Sequence, residues 1–408
     1  MNAEELHHPI MDSELQQPLM ETQPLGLLPF FTDEEYIDRL EKVKARMAEL
    51  GLDACLISTP ENIFYLTGLS HQGFFAHHML IVPMEGHLTL ITRSMEQATV
   101  ELLVPSARFI GYIDSSDPID TTVETLKEDG LKNARLGMEK ETLFLSPRIA
   151  ERLQERLPQA EWSDISGLVD DCRLIKSDQE IEYTRKAAKV ADAMMQTAIE
   201  TASVGVSEKD IAAEVYRTMV RSGGEYPGFG PFIRATPTLP MEHATWSDHV
   251  LQNGDLLFVE LAGCWRRYHA PMGRLLFVGS EPNGVREVEQ VCLEAFHGTT
   301  RTIRPGVKAH QVYDAWQDCL NERGFSHYLR HHCGYSVGIG FPPSWVGGNQ
   351  VVGLRSDSDM ELSEGMIFHL LSWMLNSGRG DYFVSNTALV TKDGCEILTT
   401  LPNELMVV

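Results

Sequence analysis

The stretch HATWSDHVLQNGDLLFVELAGCWRRYHAPMGR, residues 243–274, decides how the rest of the chain is read. It opens as a polar loop, turns at Asn253-Gly254-Asp255, and enters an apolar run of strand length, Leu256–Leu261, with Glu260 inside it. A carboxylate buried as a bare charge costs several kcal/mol unless something pairs with it. Glu260 therefore needs a partner. A nearby arginine (Arg266, Arg267 or Arg274), a metal ion and a cationic ligand are the three candidates.

Upstream of this stretch, helices and strands alternate. Thr32-x-x-Glu35 has the form of a capping box, followed by Tyr36, Ile37, Leu40, Val43, Met47 and Leu50 at helical spacing and by Gly51 as a stop. Strands are predicted at 54–58, 79–83, 87–93, 107–113 and 134–140. A turn is expected at Pro60/Asn62, and helices from about Ser94, near 119–128 and near 147–156. This pattern predicts an α/β domain over residues 31–168. Two further caps, Ser177-x-x-Glu180 and Ser207-x-x-Asp210, open long helices. The strand group around Glu260, helices near 284–303 and 308–323, and a strand-rich end at 351–400 complete an α+β domain over 169–408. Residues 1–30, acidic and rich in Gln and Pro, read as a flexible tail, with Met11 or Met20 as alternative starts.

Composition narrows the function. With 58 acidic against 34 basic residues the formal charge is −24, which disfavours nucleic acid and anionic membrane as partners. Seven scattered cysteines without a C-x-x-C pair read as reduced thiols. Neither a signal-peptide pattern nor an apolar run of about 18 residues is present, so a cytoplasmic protein is expected.

Several segments together resemble the creatinase/aminopeptidase P/prolidase family of pita-bread enzymes. They are RLEKVKARMAELGLDACLISTPENIFYLTG (39–68), LIKSDQEIEYTRKAAKVAD (174–192), His243 followed by NGDLLFVELAG (253–263), RHHCGYSVGIG (330–340), EGMIF (364–368) and ALVTKDGCEILT (388–399). The resemblance implies a pita-bread catalytic domain, a homodimer, and in the metallopeptidases of the family two metal ions on two Asp, one His and two Glu. Carried onto this chain, those five positions hold Glu260, Pro271, Tyr335, Leu371 and Ser385. Proline and leucine side chains have no donor atom, and one carboxylate does not hold a dinuclear site. No Asp or Glu lies between Glu260 and Glu281 to rescue it by a shift of register. The expectation is a site with no metal and no cofactor, in which a cationic substrate pairs with Glu260.

Glu260 is then the candidate nucleophile and His243, seventeen residues before it as in the family, the candidate proton shuttle. Tyr335, at the position of the metal-binding histidine, is the third candidate catalytic group. His331 or His332 matches a family histidine, and the sequence leaves the choice between them open. Phe229, Trp246, Trp345 and Trp373 are candidate rings around a delocalised cation, and Arg234 a candidate for a substrate carboxylate. These features suit a small zwitterionic substrate. Residues 330–345 are most similar to members of the family that open the cyclic amidine of ectoine, so the resemblance implies that substrate and an N-acetyl-L-2,4-diaminobutyrate product. A creatinase-like amidinohydrolase, a silent binding module and a metallopeptidase with re-sited ligands are the alternatives.

Overall fold

In a computed structural model, which describes residues 29–408 except 237, 349 and 350, the chain builds two sheets. The first is a mixed six-stranded sheet of β1 (Ala54–Ile57), β2 (Met79–Pro83), β3 (Leu88–Arg93), β4 (Ala107–Tyr112), β5 (Arg135–Met138) and β6 (Glu161–Asp164), in the order β4-β3-β2-β1-β5-β6. Helices at Asp33–Leu50, Pro118–Glu128 and Pro147–Arg156 accompany it. The Pro60/Asn62 segment, expected as a turn, is instead the start of a helix, Pro60–Thr67: proline at the first position has no amide hydrogen to leave unpaired there. The cap at Thr32 is half a capping box. Thr32 accepts from the amide of Glu35, while the Glu35 carboxylate turns to Arg39 at 3.1 Å. Residues 1–28 of the expected tail lie outside the described residues. Phe30 is held in place, its ring against Phe64 and its carbonyl accepting from Gln179 and Tyr183.

The second sheet carries β7 (Phe232–Ala235), β8 (Leu256–Trp265), β9 (Tyr268–Phe277), β10 (Gly334–Ser336), β11 (Ile367–Met374) and β12 (Tyr382–Thr391). They run antiparallel in the order β10-β11-β12-β9-β8-β7. The strand around Glu260 extends four residues beyond its expected end at Leu261 and returns through Arg266-Arg267, both at positive φ (51° and 66°). That two-residue turn matches the right-handed twist of the hairpin, which usually selects Gly or Asn. Arg267 is secured there by donating to the carbonyls of Gly340 and Tyr226.

Alternation along β8 sorts the two faces. Leu257, Val259 and Leu261 belong to the core shared with Val190, Ala191 and Met194 of the helix Asp178–Thr201. Gly263 lies on that same face, where a Cβ would stand 2.0 Å from the Ala187 carbonyl oxygen; only glycine lets helix and strand approach so closely. Ser372 of β11 likewise points backward, to the helices Val285–Thr302 and Ala309–Glu322, through Cys292 and the Trp316 indole. The opposite face, which bears Glu260, is left for the site.

The two halves share buried polar groups. Arg39, stacked on Phe31, donates to Tyr65 O at 3.0 Å and reaches Glu180 (3.6 Å) and the Tyr268 hydroxyl (3.5 Å) across the seam. Tyr268 donates to Glu180 at 2.6 Å, and the buried carboxylate of Glu61 accepts from the amide of Phe341 at 3.0 Å. All seven cysteines are free thiols.

Candidate active site

Strand register assembles the site. Phe232 pairs with Glu260, Glu260 with Gly273, Gly273 with Ser385, and Ser385 with Leu371, so these residues form one row on one face of the sheet. The adjoining row sets Tyr335 opposite His369 and His369 opposite Thr387. Gly273, between Glu260 and Ser385 in the row, has no room for a side chain: a Cβ there would stand 2.3 Å from the Phe383 ring and 2.9 Å from Ser385 Oγ.

Glu260 is 7% exposed, and burial pushes its carboxyl up from 4.5 to about 8. Arg234 is the largest opposing influence; Glu242 adds to the rise and Arg330 reduces it. The arginines of the hairpin are not its partners. Arg274 pairs in register with Val259 and so lies on the other face, where its guanidinium donates to the carbonyls of Gly273, Ser385, Leu401 and Pro402. Arg266 lies over Phe30, and Arg266 and Arg267 sit at the far tip of the hairpin.

Arg234, two residues from Phe232 on the same face, is buried over the Phe258 ring, 4.2 Å from its centroid. Among the described residues its side chain makes no hydrogen bond or ion pair, and its Nε is fully enclosed without a partner. Desolvation destabilises this cation. A buried guanidinium left unpaired beside a carboxylic acid is a receptor for an anionic group.

Tyr335, Trp345 and His369 form a hydrogen-bonded chain. The Trp345 indole donates to the Tyr335 hydroxyl at 3.0 Å; His369 Nδ1 lies 2.8 Å from that hydroxyl, and His369 Nε2 lies 2.7 Å from Ser385 Oγ and 3.8 Å from Glu260 Oε1. Burial pushes the His369 imidazole down to about 3 and the Tyr335 phenol well up, so both are neutral at ordinary pH.

The other predicted residues are placed as follows. His243 stands on an exposed loop at positive φ (58°), its ring stacked on Phe229 (6.1 Å, 13°) and tilted against Phe232 (5.6 Å). Glu208 latches this loop: it accepts from the amides of Ala235 and Ser247 and from the Ser247 hydroxyl, each at 2.6 Å. Phe229 and Trp345 meet edge to face at 4.9 Å. Trp373 packs on Phe258 and Phe383, with Arg330 4.7 Å above its ring. His332 faces Tyr335 at 5.4 Å and is pushed down to about 3, while His331 is exposed and touches the site through His332. Trp246 is not brought to these rings. It is 37% exposed, and its aromatic contact is Tyr216. The sequence reading missed His369, Glu242 and Arg330. His369 sits inside the apolar run IFHLL, and asking of it what was asked of Glu260, why a polar group interrupts a buried strand, would have marked it.

The five family ligand positions thus offer one carboxylate, Glu260. Among the described residues no group of three or more His, Cys, Asp or Glu is placed to hold a metal ion. The donor set does not fit the dinuclear centre.

Comparison with known proteins defines the class. Residues 39–175 match the creatinase/prolidase N-terminal domain and residues 182–392 the metallopeptidase family M24. The chain belongs to this family of C–N hydrolases, with the α/β N-terminal domain and pita-bread catalytic domain that its strands describe. It is 31% identical to the ectoine hydrolase of Halomonas elongata over 92% of this chain and 98% of that one. It is 27% identical to the Xaa-Pro dipeptidase of Pyrococcus furiosus over 90% and 99%. The prolidases of Thermococcus sibiricus and Pyrococcus horikoshii share its fold, with TM-scores of 0.82 and 0.79 at 21% and 24% identity over 91% and 90% of this chain and 99% and 100% of theirs. No helix among the described residues is long and apolar enough to cross a membrane.

Proposed function

We propose that the chain hydrolyses the cyclic amidine of ectoine to N-acetyl-L-2,4-diaminobutyrate without a metal ion, using Glu260 as the nucleophile. The observation that carries this reading is that Glu260, the one carboxylate at the five family positions, stands near a buried guanidinium, Arg234, that has no hydrogen-bond or ion-pair partner among the described residues. A zwitterion satisfies both. Its carboxylate meets Arg234, and its amidinium, among the rings of Phe229, Phe232 and Trp345, lowers the Glu260 pKa so that the carboxyl ionises as substrate seats. Similarity to the Halomonas protein supports ectoine over other amidines.

Glu260 attacks the carbon between the two ring nitrogens, and the C=N electron pair moves to nitrogen. The ring C–N bond then breaks as His243 protonates the leaving nitrogen, leaving an O-acyl imidate on Glu260. Water adds to the same carbon, passing a proton back to His243, and Glu260 departs as carboxylate to leave the amide. Tyr335 hydrogen-bonds the tetrahedral intermediates. The reading includes a cytoplasmic homodimer, which sedimentation would test at the level of assembly.

Incubation with ectoine, followed by NMR, is expected to show the ring-opened amide, with creatine in parallel as the substrate of the amidinohydrolase alternative. Glu260→Gln is expected to lower turnover by at least about 10³-fold while folding normally, and mass spectrometry of the wild type should find an adduct on Glu260. Turnover of creatine in place of ectoine, or appreciable activity of Glu260→Gln, would overturn the proposal.

A further inference from the structure

His369 lies behind the groups that meet substrate, and both of its ring nitrogens are hydrogen-bonded. An indole nitrogen can donate and cannot accept, so the Trp345–Tyr335 contact at 3.0 Å uses a lone pair of the Tyr335 oxygen. The Tyr335 hydrogen is then available to the other partner, His369 Nδ1 at 2.8 Å, and in that arrangement Nδ1 accepts it. An imidazole that accepts at Nδ1 and is neutral carries its hydrogen on Nε2. That hydrogen points to Ser385 Oγ at 2.7 Å, with Glu260 Oε1 3.8 Å away as the next acceptor. His369 is completely buried.

We propose that His369 is a positioning residue. Held as the Nε2–H tautomer by a one-way chain that starts at Trp345, it presents a fixed donor to the Ser385–Glu260 end of the site and holds the Glu260 carboxylate on its line of attack. The inference rests on the reading of Glu260 as nucleophile. No proton is transferred through His369. Its donor moves from Ser385 toward Glu260 when the carboxylate ionises, and Ser385 accepts it again when substrate leaves. The other charged and titratable groups facing Glu260, namely Arg234, Arg330, Glu242 and Tyr335, lie on β7, the two loops and β10. His332, Tyr335 and Glu260 are the titratable groups around His369 itself. His369 itself reaches Ser385 Oγ at 2.7 Å and Glu260 Oε1 at 3.8 Å from β11.

Two measurements test the inference. The first uses no substrate: nitrogen-15 NMR of histidine-labelled protein, with the His369 signals identified by their loss in His369→Gln. A bare Nδ1 and a protonated Nε2 are expected from about pH 5 to pH 9. Trp345→Phe, which frees the lone pair of Tyr335, is expected to give a mixture of tautomers. An Nδ1-protonated His369 in the wild type, or an unchanged single tautomer in Trp345→Phe, would overturn the inference.

The second is a split between kcat and KM for ectoine. His369→Asn keeps a partner for Tyr335 and loses the Nε2 donor; it is expected to lower kcat about 10-fold to 100-fold with KM within about threefold. His369→Gln, whose amide nitrogen reaches nearer the Nε2 position, should recover most of that loss. Equal losses in Asn and Gln, or a loss confined to KM, would reject the positioning role. A wild type that leaves ectoine intact yet shows the locked tautomer would sink the functional proposal and support the one-way chain.

Discussion

At the scale of single residues, Glu260 and Arg234 are two groups whose charged forms are disfavoured by burial. The Glu260 carboxyl is pushed up to about 8 from 4.5, so the folded protein keeps a proton there that the unfolded chain releases. Stability contributed by the neutral acid is therefore fully present below about pH 4.5 and is lost as pH rises through about 8, a difference on the order of a few kcal/mol. Glu260→Gln carries no such dependence. Its melting temperature relative to wild type is expected to climb between pH 5 and pH 9, and a flat difference would show that Glu260 is not held neutral. Arg234→Met should also melt higher than wild type, because it removes a desolvated cation. The same change is expected to raise KM for a carboxylate-bearing substrate by about two orders of magnitude. A KM unchanged from wild type would remove Arg234 from the substrate's binding groups.

At the scale of elements, the hairpin β8–β9 carries the site on one face and the helix Asp178–Thr201 on the other. Gly263 is where the second contact is closest, and Gly263→Ala would drive a methyl into the Ala187 carbonyl. The expected cost is about 3 kcal/mol, read as a lower denaturant midpoint with an unchanged slope; a neutral effect would mean that helix and strand slide apart freely. How much of this was legible varies by element. Leu256–Leu261 stands out as a strand because an apolar run follows a turn signal, and Ser177-x-x-Glu180 marks its helix because the capping box is formed in full. The last residues of β8 and all of β9 do not stand out. Pro271, Gly273 and a pair of arginines look like loop, and what makes them strand is cross-strand pairing over ten positions. The row Glu260–Gly273–Ser385–Leu371 joins residues more than a hundred apart, so spacing alone showed which ligands were missing without showing what replaced them. Trp246 was misplaced for the same reason. Its distance along the chain from His243 is short, but the latch at Glu208 turns the loop so that the indole meets Tyr216.

At the scale of the whole molecule, several imidazoles are buried in neutral form: burial pushes His77 down to about 4, and His78, His269, His332 and His369 to about 3. Each binds a proton in the unfolded chain below about pH 6.5 that it refuses in the fold, so stability falls as pH falls through that window. The raised carboxyls of Glu61, Glu139 and Glu260 oppose this only above about pH 4.5, where the unfolded state has lost its protons and the fold has not. The melting temperature is expected to drop most steeply below about pH 4.5, and a plateau from pH 6 down to pH 3 would contradict the burial of these rings. The seam contacts have a different consequence. Glu180 and Tyr268 belong to the catalytic half, yet the cation that reaches them, Arg39, comes from the other. Cutting the chain between the sheets would strip Glu180 of the Arg39 cation and leave Arg39 with Glu35 as its remaining ion partner, while the apolar seam around both would be exposed. Neither piece is expected to be a usable fragment on its own, and a protease that nicks the linker should leave the two pieces bound together until denaturant separates them.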